Sequence, residues 1–178
     1  MHEEESSVAW QGTSWRLRVV RYRLPDGSAL EKGHVEHPGA VVLVPLRETA
    51  AGPEVIMLRQ YRTALKQTIL ELPAGTRGWD EDWELCAQRE LQEEIGFRAG
   101  KLAPLGTCWP APGHSNELMK LYLATELVPD PLPQDADEMI TPEANSFAEA
   151  LEMAEDGRLQ DAKSVVGILR TAKHLRHR

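Results

Sequence analysis

Between residues 75 and 97 one spacing strongly restricts the local fold: Gly75, five residues, Glu81, seven residues, then Arg89-Glu90-Leu91-Gln92-Glu93-Glu94-Ile95-Gly96-Phe97. Glu90 and Glu94 lie four apart and Glu90 and Glu93 three apart, so a helix here stacks three carboxylates on one face. Like charges at that spacing repel, and adjacent Glu93 and Glu94 cannot relieve one another, so the helix calls for a cation above them. The competing use is a solvated acidic face balanced in part by Arg89. Leu91 and Ile95, at helical spacing, anchor the opposite face in a core, and Gly96 supplies the stop. The helix is expected from about Glu81 or Trp83 to Ile95, with Gly75 and the turn before Glu81 reversing the chain from strand into helix.

The residues before this segment read as strands punctuated by turns. Residues 15–24 lead into Pro25-Asp26-Gly27, whose turn chemistry fits a hairpin, with residues 30–36 returning. The apolar run 39–46 is short enough for a buried strand; a Gly52-Pro53 turn and Val55-Ile56-Met57-Leu58 follow. Leu70-Glu71-Leu72-Pro73-Ala74-Gly75 closes an extended segment. Further on, residues 102–109 and 118–127 have strand character, separated by the Pro- and Gly-rich loop 110–116, a candidate substrate wall. Residues 128–138 hold too much Pro and Asp for regular structure, which predicts an exposed loop. Met139-Ile140-Thr141 then meets Pro142, which cannot donate to a ladder, so a strand there is an edge or bulged one. Ser146-Phe147-Ala148-Glu149 is a capping box opening a helix that stops near Gly157, and Asp161 or Ser164 starts the last helix. A chain of this size suits one core, so a single domain over residues 1–178 is expected.

A net charge of −8 argues against general affinity for nucleic acid, whose phosphates are held by clustered Lys and Arg. An anionic substrate therefore needs local help, from metal ions or from arginines such as Arg59 and Arg62. The basic stretch 173–178 reads as a solvated helix end, where cations suit the dipole. No apolar run approaches the length of a membrane span, and the acidic opening MHEEESSVAW lacks the apolar segment of a signal, so a cytoplasmic location is expected. Cys86 and Cys108 form no CxxC pair and read as packed small residues. Hard carboxylate oxygens select Mg²⁺ or Mn²⁺ over zinc.

Segment 75–97 matches the Nudix box at every defined position, and the chain resembles the Nudix hydrolases. The stretches 36–41, Arg59-Gln60-Tyr61-Arg62, 71–75, 110–117 and 157–163 resemble the ADP-ribose pyrophosphatase branch, so the likeness spans about residues 15–169. The resemblance implies an α/β fold: a Nudix-type α/β/α sandwich around a mixed β-sheet, with a catalytic strand-loop-helix. It also implies a pyrophosphohydrolase dependent on Mg²⁺, or Mn²⁺ in its place, that cleaves a nucleoside diphosphate sugar. ADP-ribose, giving AMP and ribose 5-phosphate, leads the substrates. Another nucleotide sugar, a nucleoside triphosphate or a dinucleoside polyphosphate is the alternative within the class. Outside it stands a domain that senses ADP-ribose without cleaving it, against which the intact set of carboxylates counts. The branch typically forms homodimers whose N-terminal strands, residues 1–38 here, help build the partner's nucleoside pocket.

Carried over residue by residue, the resemblance makes Glu90, Glu93 and Glu94 metal ligands, joined by Ala74 and Glu117. Arg89 orients a glutamate by ion pairing and Glu81 supports it. Bound metal would polarise the pyrophosphate and stabilise the leaving phosphate. Glu93 and Glu138 compete as catalytic base, the latter from the acidic loop that also holds Asp135 and Asp137. Arg59 and Arg62 suit a diphosphate through charge-assisted hydrogen bonds. Pro112, fifteen residues past Phe97, stands where a proline marks ADP-ribose-type substrates. Trp10, Trp15 and Tyr22 are candidates for stacking on a base, with core or interface packing as the competing use.

Overall fold

The N-terminal segment pairs into a meander of three strands, β1 (His2–Gln11), β2 (Arg16–Arg23) and β3 (Ala29–Glu36), antiparallel throughout. The structure is a computed structural model that describes residues 1–134 and 139–176. In the β2–β3 turn the Asp26 carboxylate accepts from the Ser28 N–H at 2.9 Å and from its hydroxyl at 2.7 Å, the local bonding that Asp favours in turns. Strand β1 goes beyond the sequence expectation. Its residues show no buried face, so pairing and cross-strand charge hold it rather than burial: Arg23 Nε donates to Glu4 at 2.9 Å.

The second sheet is built on β4 (Ala40–Thr49), which is buried at every position of residues 40–46. A strand apolar on both faces needs cover on both. Its neighbours are β5 (Gly52–Arg62), β6 (Gln67–Glu71), β7 (Ala74–Thr76), β8 (Phe97–Cys108), β9 (Met119–Pro129) and β10 (Ile140–Ser146). The order is β10-β5-β4-β9-β8, with β6 on β5 and β7 on β4. Strands β4 and β9 run parallel while β4–β5, β8–β9 and β10–β5 are antiparallel, which makes the sheet mixed.

Alternation along β4 divides the interior. Val42, Val44 and Leu46 pack with Met57, Leu72, Leu123 and Ile168 under α2 (Phe147–Asp156) and α3 (Ala162–Arg176). Val41 and Leu43 point the other way, onto Cys86, Leu91 and Ile95 of α1 (Trp83–Ile95). The result is the expected α/β/α sandwich. The predicted Ser146 cap forms, accepting from the Glu149 N–H, and α1 is capped by Asp82, which the sequence reading did not name, accepting from the N–H groups of Glu84 and Leu85. Gly96 ends α1 in the left-handed region at φ 75°, its N–H reaching Leu91 O.

Two boundaries differ from expectation. Strand β8 starts at Phe97, directly after the cap, and β9 continues through Pro129, where Val128 and Pro129 pair with Arg98 and Phe97. Ladder pairing between these long strands overrides the poor strand propensity of the sequence around them. Pro142 sits in β10 opposite Leu58, on the edge position that a residue lacking an N–H can occupy. The β3 end is sewn to the 110–116 loop, with Val35 N–H to His114 O at 2.8 Å and His37 N–H to Asn116 Oδ1 at 2.8 Å. Among the described residues no helix is long and apolar enough to cross a membrane.

Candidate active site

Helix α1 lays its acidic face against the short strand β7. Glu90 and Glu94 are both buried, at 6% and 1% exposure. Glu94 Oε2 accepts from the Ala74 N–H at 2.9 Å. Glu90 reaches Gly75 so closely that a Cβ there would meet its carboxylate at 1.9–2.1 Å. This corrects the expected part of Gly75. It lies within β7, paired with Val41, rather than turning the chain, and its missing side chain makes room for the Glu90 carboxylate.

Arg89 neutralises the helix from within. Its Nε and Nη2 fork onto Glu81 at 3.0 and 3.1 Å, while Nη1 lies 2.8 Å from both Glu90 Oε1 and Glu93 Oε2. The Arg89 bond, ahead of an N–H bond from Gly78, holds the Glu81 carboxyl down at about 2 against its usual 4.5. The same contacts raise the Arg89 guanidinium further above its ordinary range. Burial, with Glu81 and Glu90 nearby, pushes the Cys86 thiol up to about 12, so it is a packed, unreactive group as the sequence suggested. With Glu90 and Glu93 turned onto Arg89 and Glu94 onto a backbone amide, no group of three His, Cys, Asp or Glu among the described residues is poised around an ion.

Beside β7 opens a cavity of about 390 Å³. Ala74, Gly75 and Thr76 form one wall, Pro110, Glu117 and Met119 another, and Arg62, Glu71, Asp161 and Lys163 the charged side. Arg62 forks onto the buried Glu71, Nε to Oε1 at 2.7 Å and Nη2 to Oε2 at 2.6 Å. His37 Nδ1 stands 4.0 Å from Glu117 Oε1 and accepts from the Gly39 N–H at 3.1 Å; burial lowers its pKa, so it faces Glu117 as a neutral group.

Of the residues singled out in the sequence, Arg62, Ala74 and Glu117 meet at this cavity, and Glu90 and Glu94 contact the strand that walls it. Arg59 and Pro112 are not among its lining residues. Arg59 is on the outer side of β5, forked onto Glu143 at 2.8 and 3.3 Å, and the loop meets the cavity through Pro110 rather than Pro112. Glu138, Asp135 and Asp137 lie outside the described residues. Trp10 and Trp15 pack against each other in a tilted pair, centroids 4.5 Å apart and ring planes at 43°. Sequence reasoning assigned no individual role to Glu71 or Lys163, and it named Asp161 only as one of two starts for the last helix, where its carboxylate accepts from the Ser164 N–H at 3.1 Å. The only signal for Glu71 and Lys163 was membership of the quoted stretches 71–75 and 157–163, since the two meet across 92 residues of chain.

Comparison with known proteins agrees with this architecture. The model of the NUDIX domain matches residues 36–165. The chain is 33% identical over 171 residues to an ADP-ribose pyrophosphatase of Bacillus subtilis (strain 168), covering 93% of this chain and 91% of that one. It is 33% identical over 169 residues to an ADP-ribose pyrophosphatase of Mycobacterium tuberculosis, covering 92% and 79%. It is also 30% identical over 173 residues to a methanol dehydrogenase activator of Bacillus methanolicus, covering 95% and 92%. A crystal structure of an ADP compounds hydrolase shares the fold, with TM-score 0.82 at 21% identity, over 99% of this chain and 96% of that one. The chain belongs to the NUDIX family and is a pyrophosphohydrolase of that family.

Two outcomes follow from the geometry. Gly75→Ala should keep the circular dichroism of the fold yet lower turnover about 100-fold, because displacement of a catalytic group by about 1 Å carries a cost of that order; wild-type turnover would show the cradle to be dispensable. Glu81, held at about 2 against 4.5, contributes stability that is complete above pH 4.5 and is lost as pH falls toward 2, since the unfolded chain takes up the proton first. In metal-free protein, thermal unfolding of Glu81→Gln should vary less steeply over that window than the wild type; parallel curves would rule the contribution out.

Proposed function

We propose that this protein hydrolyses a nucleoside diphosphate sugar, ADP-ribose before others, to a nucleoside monophosphate and a sugar phosphate. The observation that carries the proposal is Arg62: its guanidinium is held by Glu71 at the wall of a cavity whose next wall, β7, seats Glu90 and Glu94. A diphosphate lying there meets a fixed cation on one side and the acidic helix on the other. The names of the relatives from Bacillus subtilis and Mycobacterium tuberculosis support ADP-ribose as the first substrate to try.

The oxygen donors suit a hard divalent cation, Mg²⁺ or Mn²⁺, that would draw the carboxylates of Glu90, Glu93 and Glu94 from their contacts with Arg89 and the Ala74 N–H, with Ala74 and Glu117 on the two neighbouring cavity walls. When bound there, such a cation supplies charge neutralisation for the diphosphate and the departing phosphate. The chain does the rest. Glu93, at 19% side-chain exposure the most open of the three glutamates, takes the proton of the attacking water while Arg89 holds its other oxygen. Glu138 is the rival base. Arg62 orients the diphosphate by charge-assisted hydrogen bonding, and Pro112 shapes the loop that follows β8.

We further read the chain as one cytoplasmic domain that pairs with a second copy through β1, β2 and β3. Val8, Trp10 and Trp15 are 48%, 49% and 39% exposed there, an apolar surface suited to cover by a partner. Neither nucleic acid nor membrane belongs among its partners, in keeping with the charge of −8.

The test is a hydrolysis panel with pure protein, its nucleotide products separated and identified by chromatography: ADP-ribose, other nucleotide sugars, triphosphates and dinucleoside polyphosphates, each with Mg²⁺ and with Mn²⁺. ADP-ribose should lead and yield AMP, and Glu94→Gln should keep the fold while losing most turnover. A response equal across all substrates would defeat the substrate assignment; tight ADP-ribose binding without AMP release would make the domain a sensor.

A further inference from the structure

Lys163 is buried in the cavity wall, 7% exposed at its side chain, and has no part in the chemistry above. Its ammonium donates to Glu71 Oε2 and, at 2.8 Å, to Asp161 Oδ2. Arg62, Glu71, Lys163 and Asp161 therefore form one alternating line of charge, two positive and two negative, running from the end of β5 through β6 to the start of α3. Only Arg62 in this line is substantially open to solvent, at 40% of its side chain; Lys163 has 7% and Asp161 17%.

The line is anchored at its inner end. Asp161 Oδ2 accepts from the Ser164 N–H at 3.1 Å as well as from the Ser164 hydroxyl, and Ser164 Oγ accepts from the Leu72 N–H at 2.7 Å. Strand end and helix start are thereby locked together around Lys163. Burial drives the Glu71 carboxyl upward, the Arg62 and Lys163 contacts drive it down more strongly, and the balance lies below its ordinary value. An ionised Glu71 is what gives the Arg62 fork two acceptors. Lys163 shares Oε2 with Arg62 Nη2, so the carboxylate is fixed from the protein side while Arg62 meets it from the cavity side. Both Arg62 nitrogens on that fork are engaged, and among the described residues Nη1 donates no hydrogen bond.

We propose that Lys163 is a positioning residue. It acts through Glu71 to hold the Arg62 guanidinium with Nη1 presented to a diphosphate oxygen, and does not itself touch substrate. This rests on the proposed contact between Arg62 and substrate. Because a preorganised arginine is in place before substrate arrives, its effect falls mainly on binding rather than on the chemical step. A role confined to stability would not separate the two constants in this way, nor depend on Arg62.

The experiment is a double-mutant cycle on the best substrate of the panel, with kcat and KM measured for the wild type, Lys163→Met, Arg62→Ala and the double variant. Each single change should raise KM about tenfold or more, the scale of a lost hydrogen bond to a charged group, and lower kcat less than about threefold. The double variant should match Arg62→Ala alone, because Lys163 then has nothing left to position. Multiplying KM increases would overturn the proposal, as would a Lys163→Met variant with wild-type KM. A wild-type KM in Arg62→Ala instead refutes the substrate contact itself, and the proposal with it. Should Lys163→Met fail to fold, Asp161→Asn keeps a capping oxygen while removing the charge that holds Lys163; a smaller KM rise supports the proposal and an unchanged KM sinks it.

Discussion

Three glutamates share one guanidinium, and the site depends on that contact. Glu81 arrives from the loop before α1, and Glu90 and Glu93 from the helix itself; all three reach Arg89. Without this internal cation the helix would stack like charges along one face while burying two of its carboxylates, each an unfavourable arrangement. The opposite face of the same helix packs Leu91 and Ile95 against Val41 and Leu43 of the central strand. Scaffold and site are therefore two faces of one element, and the sheet that positions β7 also positions the glutamates that lean on it.

Arg62 repeats the chemistry of Arg89 with a different outcome. Both engage carboxylates by two nitrogens, the geometry at which arginine excels. Arg89 is enclosed by acceptors on its third nitrogen as well, so its charge is consumed in holding the helix. Arg62 forks onto one carboxylate, Glu71, itself held by Lys163, with Asp161 and Glu94 acting on it at longer range, and it lines the cavity. The number and placement of acceptors separate an arginine spent on holding the helix from one left partly open on a cavity wall.

What could be read in advance follows the range of the interactions involved. The acidic helix, its glycine stop, the doubly buried β4 and the Ser146 cap are matters of local period and capping, and all were visible in the sequence. Pro142 on an edge strand was visible too, because a missing N–H has few places to go. The rest needed three dimensions. Strand β1 carries no alternating apolar pattern, so nothing local marks it; its partner strand does. Gly75 looked like a turn residue because glycine usually is one, whereas the reason for it is a carboxylate fifteen residues along the chain. Arg59 and Arg62 were indistinguishable as strand-end arginines until Glu143 and Glu71, 84 and nine residues away, took one outward and the other into the cavity wall.

Charge accounting gives the proposed cation requirement a basis apart from any likeness to other enzymes. Arg62, Glu71, Lys163 and Asp161 sum to zero around the cavity, and Glu117, beside His37, whose pKa burial lowers, adds a negative charge. The α1 group of Glu81, Glu90 and Glu93 exceeds the single charge of Arg89, and Glu94 lies against a backbone amide. A chain of net charge −8 thus surrounds its cavity with more negative than positive charge. A diphosphate entering such a place is repelled unless positive charge comes with it. Hard carboxylate oxygens gathered on one helix face are the donors that a divalent cation prefers, so on the proposed reading the excess that opposes the substrate alone would recruit its companion ion. On the proposed reading Arg62, partly open on the cavity wall, then contributes direction by fixing where the diphosphate settles relative to the glutamates.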